Sequence, residues 1–236
     1  MSSGAPEITA ALARLDEITR RLRRECPWDR EQDERTIVPH TLEEAYELAD
    51  AAERGDDVRL LDELGDVLFQ VHFLALLLEE RGAGDLGAVA RHAAEKLIRR
   101  HPHVFGEAEV ADAAEVLRNW DAIKSTESGR ERGVFGEVPE NLPGLLYARK
   151  VQRRAGSAGF GSVRGDGALG SLQGALAELT AAQGRDERFS ALGELLFAAV
   201  ALARGMALDP ELALRASAQR FRARVQAEAD RAASSG

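Results

Sequence analysis

Four carboxylates constrain how this 236-residue chain folds: Glu44, Glu47, Glu63 and Asp66 stand in two i, i+3 pairs placed symmetrically about Gly55. Glu47 and Glu63 each lie eight residues from that glycine, and Glu44 and Asp66 each lie eleven. At 1.5 Å per residue the pairs sit at matched heights, about 12 and about 16 Å from the turn. A helical hairpin reversing at Gly55 therefore brings all four into one seam, because residues three apart share a helix face. Their mutual repulsion there is costly without a cation, so the spacing predicts a divalent-metal site.

The rest of the chain reads as all-α. Ala, Leu, Glu and Arg dominate the periodic segments, and alternating β-branched runs are few. Helices are expected over roughly 7–24, 42–54, 58–81, 85–100, 112–126, 143–155, 168–183, 188–204 and 210–231. A hydrophobic content of 44% supports a real core. Gly55-Asp56-Asp57 and Gly82-Ala83-Gly84 mark early turns, and the ends, 1–6 and 232–236, are expected to fray. Ser125 to Pro143 is loop-rich and separates two halves: a first domain over 7–126, a linker over 127–143 and a second helical unit over 144–231.

Those halves look like copies. Leu64-Gly-Asp-Val-Leu-Phe69 matches Leu192-Gly-Glu-Leu-Leu-Phe197, and Lys96-Leu-Ile-Arg-Arg100 lines up with Arg220-Phe-Arg-Ala-Arg224. The second copy has Ala191 in place of Glu63 and Glu194 in place of Asp66, and keeps only Glu178 from the earlier acids. It is expected to be degenerate as a metal site. The recurrence of Gly65 as Gly193 predicts close helix packing at both positions.

Charge and cysteine content limit the function classes. A formal net charge of −9 opposes binding to nucleic-acid polymers. Cys26 is the sole cysteine, which rules out an intrachain disulfide and favours a reducing cytoplasm. Met1 to Pro6 has no basic region followed by an apolar run, and the longest apolar stretch, Val67 to Leu78, is too short for a bilayer. No membrane partner is expected.

Each candidate residue has a plainer reading. Thr41-Leu-Glu-Glu44 fits a capping box, which by itself accounts for Glu44, and Glu43 suits the positive end of a helix dipole. Glu47 has no capping role. Glu63 and Asp66 are more telling, since Leu61, Leu64, Leu68, Val71, Ala75 and Leu78 recur at helical spacing and predict a helix that buries itself. Lys96, Arg99 and Arg100 offer phosphate contacts or simply complement a helix C-terminus before Pro102. Trp120 and Lys124 pair a stacking ring with a cation, or form ordinary core. Pro27 in Cys26-Pro-Trp-Asp29 ends the first helix, and the loop histidines His101 and His103 are left out of the metal set.

Five motifs in order carry a resemblance: CPWD at Cys26, TLEEAYE at Thr41, ELGDVLFQV at Glu63, EKLIRRHPHVFG at Glu95 and NWDAIK at Asn119. Together they resemble the MazG family of nucleoside triphosphate pyrophosphohydrolases over most of the chain, including the Gly-Phe at Phe160. The resemblance implies an all-α fold of tandem helical-hairpin, four-helix-type units and Mg²⁺ dependence, with Mn²⁺ as a substitute. It also implies conversion of (d)NTPs to monophosphate and pyrophosphate, in keeping with nucleotide-pool house-cleaning. The family's acidic motif maps to Glu43, Glu44, Glu47, Glu63 and Asp66, with Glu44, Glu47, Glu63 and Asp66 holding metal. Lys96, Arg99, Arg100, Trp120 and Lys124 fall where the family contacts nucleotide. Tandem members keep a second acidic set, from which this chain departs.

On that reading Glu43 orients or deprotonates the attacking water, Lys96 and Arg100 meet the leaving group, and Trp120 stacks on the base. A homodimer is expected, with the second copy structural or dimerising. The competing reading is a non-catalytic helical regulatory module. A di-iron bundle requires Glu-x-x-His motifs, and the sequence has none.

Overall fold

The computed structural model describes residues 4–127, 133–136, 138–160 and 166–234. Helices make up 82% of the described residues and no strand occurs among them, so the fold is all-α as the periodicity predicts. Residues 128–132 and 137 of the expected linker, and the outermost residues of both expected frayed ends, lie outside the described set. The chain separates into two compact units that divide between Phe105 and Gly106.

The first unit contains α1 (Ala5–Glu25), α2 (Pro27–Glu31), α3 (Glu34–Arg54), α4 (Asp57–Glu80), α5 (Leu86–Arg100) and α6 (Pro102–Phe105). α3 and α4 form the hairpin. Gly55 takes φ 66°, its N–H reaches the Ala52 carbonyl, and the Asp56 N–H reaches that of Ala51. This Schellman arrangement needs a left-handed residue, which glycine supplies without steric cost. Asp56 then caps α4 by accepting from the Arg59 N–H.

The core of this unit is Ile37, Phe73 and Leu77, with Phe69 and Leu74 packed against them. Burying each such side chain contributes about 1.5–3 kcal/mol. α1 is fastened to α4 by Arg20 on Glu79 and Arg23 on Glu80. Arg23 also donates to the carbonyls of Asp29 and Gln32 and lies 5.8 Å from the centre of the Phe73 ring, so one side chain ties α1, α2 and α4 together. Pro27 does break the first helix, and it starts α2, a short helix the periodicity did not predict.

Three expectations are corrected. α3 starts eight residues before Leu42, capped by Asp33, which accepts from the Arg35 and Thr36 N–H groups. Thr41 lies inside the helix and its hydroxyl donates to the Ile37 carbonyl, so the Thr41–Glu44 capping box does not form. Pro39 lies within α3. The α4 stripe is only partly buried: Ala75 is enclosed, while Leu61 is 74% exposed and Leu64, Leu68 and Val71 are also exposed. His72, Phe73, Leu76 and Leu77 form the buried face instead. Gly65 and Gly193 do not mark close packing within the chain, since a Cβ at either meets nothing within 4 Å.

The second unit contains α7 (Ala113–Thr126), α8 (Gly144–Ser157), α9 (Asp166–Ala181), α10 (Gly184–Gly205) and α11 (Pro210–Ser234). α9 and α10 pair across a turn where Gly184 takes φ 74°, mirroring Gly55. α8 packs on α10, and the Gln152 amide donates to the Phe197 carbonyl. α7 is held to α8 by buried Asp121, which accepts from Arg153 and from the Ser157 hydroxyl. No single helix among the described residues is long and apolar enough to cross a membrane; α10 and α11 meet that test only as a pair bent by 104°.

Candidate metal centre

The hairpin does bring carboxylates together. Oxygens of Glu44, Glu63 and Asp66 all lie within 4.8 Å of one another, fed by α3 from one side and α4 from the other. The register departs from the symmetric expectation: Glu44 faces both α4 acids at once, and Glu47 lies outside this tight group. Glu47 still contributes to the field at Glu44.

Burial differs sharply across the trio. Glu63 is 6% exposed, Glu44 is half-buried and Asp66 is open to solvent. Desolvation pushes the Glu44 carboxyl above its ordinary value, reinforced by the negative charges of Asp66, Glu47, Glu63 and Glu43. Such a field favours either a proton or a metal cation. With the capping box absent, Glu44 has no local backbone duty that explains its place mid-helix.

A divalent cation suits this donor set. Hard oxygen ligands on two helices, convergent within 4.8 Å, match the oxygen-only coordination of a hard divalent cation, which takes a few carboxylates and fills its other positions with water or phosphate oxygen.

Five further residues pair with the acidic motif or with one another around it, none of which the acidic spacing identifies. Arg59 Nη2 stands 3.5 Å from Glu63 Oε1, and its Nη1 is 4.0 Å from Asp50, which also pairs with Arg54 at 3.0 Å. The i, i+4 spacing of Arg59 and Glu63 was the available signal. His40 Nδ1 lies 3.3 Å from Glu43 Oε2, and the Trp28 ring meets the His40 ring edge-on at 5.8 Å. Glu43 itself is exposed, and so is Trp28.

The basic candidates are distributed. Lys96, Arg99 and Arg100 lie on α5, which packs against α4 in the first unit. Lys96 is half-buried, Arg99 is exposed, and Arg100 is 5% exposed at the helix end. Trp120 and Lys124 lie on α7 in the second unit, both half-buried.

Residues 32–105 match the MazG nucleotide pyrophosphohydrolase domain, and the match encloses the whole acidic hairpin. Over 208 residues the chain is 36% identical to a nucleoside triphosphate pyrophosphohydrolase of Escherichia coli K12, covering 85% of this chain and 79% of that protein. The chain belongs to the MazG family. It is also 39% identical over 197 residues to a Thermotoga maritima protein named nucleoside triphosphate pyrophosphohydrolase/pyrophosphatase MazG, covering 83% and 76% of the two chains. A crystal structure of a MazG-related protein from Thermotoga maritima aligns with 48% of this chain and 97% of its own at 28% identity, with a TM-score of 0.42. This MazG-family chain is a hydrolase, which sets aside the non-catalytic module that composition alone allowed.

Proposed function

We propose that this MazG-family chain hydrolyses nucleoside triphosphates, ribo or deoxy, to the monophosphate and pyrophosphate with Mg²⁺, Mn²⁺ substituting, as a nucleotide-pool house-cleaning enzyme of the cytoplasm. The observation that carries the reading is the convergence of Glu44, Glu63 and Asp66 inside the matched domain. Water adds across the phosphoanhydride between the α- and β-phosphorus: its oxygen bonds to one phosphorus, the bridging P–O bond breaks, and the bridging oxygen leaves with the other phosphate.

Glu44, Glu63 and Asp66, with Glu47 completing the set one turn away, would hold the cation. When bound, that cation supplies charge neutralisation on the triphosphate and acidifies a coordinated water. Glu43, exposed beside the cluster and held by His40, takes the proton of the attacking water. Arg59 neutralises Glu63 in the metal-free protein. Lys96, Arg99 and Arg100 offset charge on the departing pyrophosphate, the type of positioning that dominates phosphoryl chemistry. Trp120 stacks on the base and Lys124 adds a phosphate contact, giving broad base tolerance.

The catalytic domain is assigned to 7–126, the linker to 127–143, and 144–231 to a degenerate repeat that contributes packing in a homodimer. The exposed apolar stripe on α4 supplies the surface for that second copy.

Product analysis tests the activity: monophosphate and pyrophosphate are expected with Mg²⁺ and neither with chelator. Diphosphate and phosphate would refute it. Glu63→Gln and Asp66→Asn should each lower turnover by on the order of 10²-fold with helical content retained.

A further inference from the structure

α7 stands outside the matched MazG domain, which ends at Phe105, and it packs in the second unit against α8. It nevertheless bears Trp120 and Lys124, the proposed base and phosphate contacts. Its own apolar packing is slight: Leu117 is exposed, Val116 and Ile123 are half-buried, and among its described side chains Asp121 alone is buried. With so little apolar surface enclosed, the orientation of α7 depends on what Asp121 is bonded to.

The described partners of Asp121 all come from α8. Arg153 Nη1 donates to both carboxylate oxygens, at 2.7 and 2.6 Å, and the Ser157 hydroxyl donates to Oδ2 at 2.7 Å. Arg153 and Ser157 are four residues apart and so share one face of α8. Arg154 brings a second guanidinium to 3.5 Å from Oδ1. Asp121 is 5% exposed. Taking such charges out of water is costly, and their attraction does little more than offset that cost. A buried ion pair is therefore poor evidence of stability, and fixing one register among several is its best-attested use.

Register is what α7 needs. Lys124 follows Asp121 by three residues and is its neighbour on the helix surface, while Trp120 stands one position around the axis. Turning α7 by a single position, about 100°, would carry Trp120 and Lys124 to another side together. A carboxylate gripped by donors one turn apart on α8 resists that rotation.

We propose that Asp121 is a positioning residue: clamped by Arg153 and Ser157, it sets the rotation of α7 and so the facing of Trp120 and Lys124. The degenerate repeat then has a task in substrate binding, since α8 supplies the clamp. This rests on the reading that Trp120 and Lys124 contact nucleotide. Because the clamp acts through α7, it governs affinity and leaves the chemical step alone.

Asp121→Asn would leave two arginines beside a neutral amide and risks misfolding, so the test opens the clamp from α8, with Arg153→Met and Ser157→Ala in the full chain. Affinity is read by calorimetric titration with α,β-methylene adenosine triphosphate and Mg²⁺, since its P–C–P bridge resists cleavage; KM and kcat are read with adenosine triphosphate. Arg153→Met should weaken binding and raise KM roughly fivefold with kcat held within about twofold, and Ser157→Ala should act in the same direction by less. In a chain already carrying Trp120→Ala and Lys124→Ala, Arg153→Met should weaken binding no further, which a merely structural role would not produce. An equal loss in that background, or a fall in kcat that matches the fall in kcat/KM, overturns the proposal. If Trp120→Ala with Lys124→Ala weakens binding while Arg153→Met does not, the clamp alone is overturned. If that pair binds like the native chain, the nucleotide role of α7 falls and the clamp's role with it.

Discussion

Arg59 and Glu63 lie one turn apart on α4, with guanidinium nitrogen 3.5 Å from carboxylate oxygen, so the most buried acid of the metal cluster carries its own counter-cation. Glu63 is 6% exposed, and a carboxylate that deep is costly unless paired. Arg59 thus stands in competition with any divalent cation for the same oxygens. Replacing it by Met should tighten metal binding by up to roughly fivefold, the range of a partly exposed ion pair. Calorimetric titration with Mn²⁺ and Mg²⁺ measures this; weaker binding in Arg59→Met would show that the arginine orients Glu63 instead of competing for it.

Glu44 gives the metal-free protein a pH signature. Its carboxyl is raised by desolvation and by Asp66, Glu47, Glu63 and Glu43, so the folded state holds a proton that the unfolded chain has already released. Stability therefore falls as pH rises from the ordinary glutamate value through the raised one, because the unfolded state binds fewer protons in that window. Below the window Glu44 contributes no slope. Glu44→Gln should flatten the decline and raise the melting temperature of the metal-free chain above the window. Saturating Mg²⁺ should do the same for the native chain. Melting curves across pH, with and without chelator, check both.

The start of α3 is open to a direct comparison. Asp33 caps it through two backbone N–H groups, whereas Thr41 only back-bonds within the helix. Asp33→Ala should cost about 1 kcal/mol of unfolding free energy, and Thr41→Ala clearly less. Urea unfolding of the two variants decides it, and a larger loss from Thr41→Ala would restore the helix start to Leu42.

Leu61, Leu64 and Leu68 form an exposed row on the helix that bears Glu63 and Asp66. A contiguous apolar stripe on a folded surface marks an interaction face. In the proposed homodimer, Leu61→Glu with Leu68→Glu should convert a sedimenting dimer to a monomer. A dimer that survives both charges would place the interface elsewhere.

Gly55→Ala probes the hairpin itself. The added Cβ meets no neighbour, so the expected loss of about 1–2 kcal/mol comes from the left-handed φ of 66° alone. Thermal unfolding measures it, and a neutral effect would mean that the turn relaxes.

Much of this was legible along the chain. Helical periodicity gave the all-α class, Pro27 ended α1, and Gly55 was readable as the reversal because only glycine takes that backbone without cost. The acidic spacing found the three clustered carboxylates because helix rise and face are local properties. The capping box at Thr41 misled because Asp33 caps a helix that starts earlier, and that cap outweighs the backbone bond Pro39 forgoes inside α3. Arg59, His40 and Trp28 were passed over because pairing with a site residue depends on rotamer and neighbour, beyond residue type.

The sequence by itself determined the helical class, where the α3–α4 hairpin reverses and which acids share a face, since each rests on short-range backbone geometry. Tertiary structure alone decided that Glu44 meets both Glu63 and Asp66 while Glu47 stands aside, and that the α4 leucines face outward. Those outcomes depend on the offset between packed helices and on which face of α4 the core around Ile37 and Phe73 claims, and no spacing along one helix encodes either.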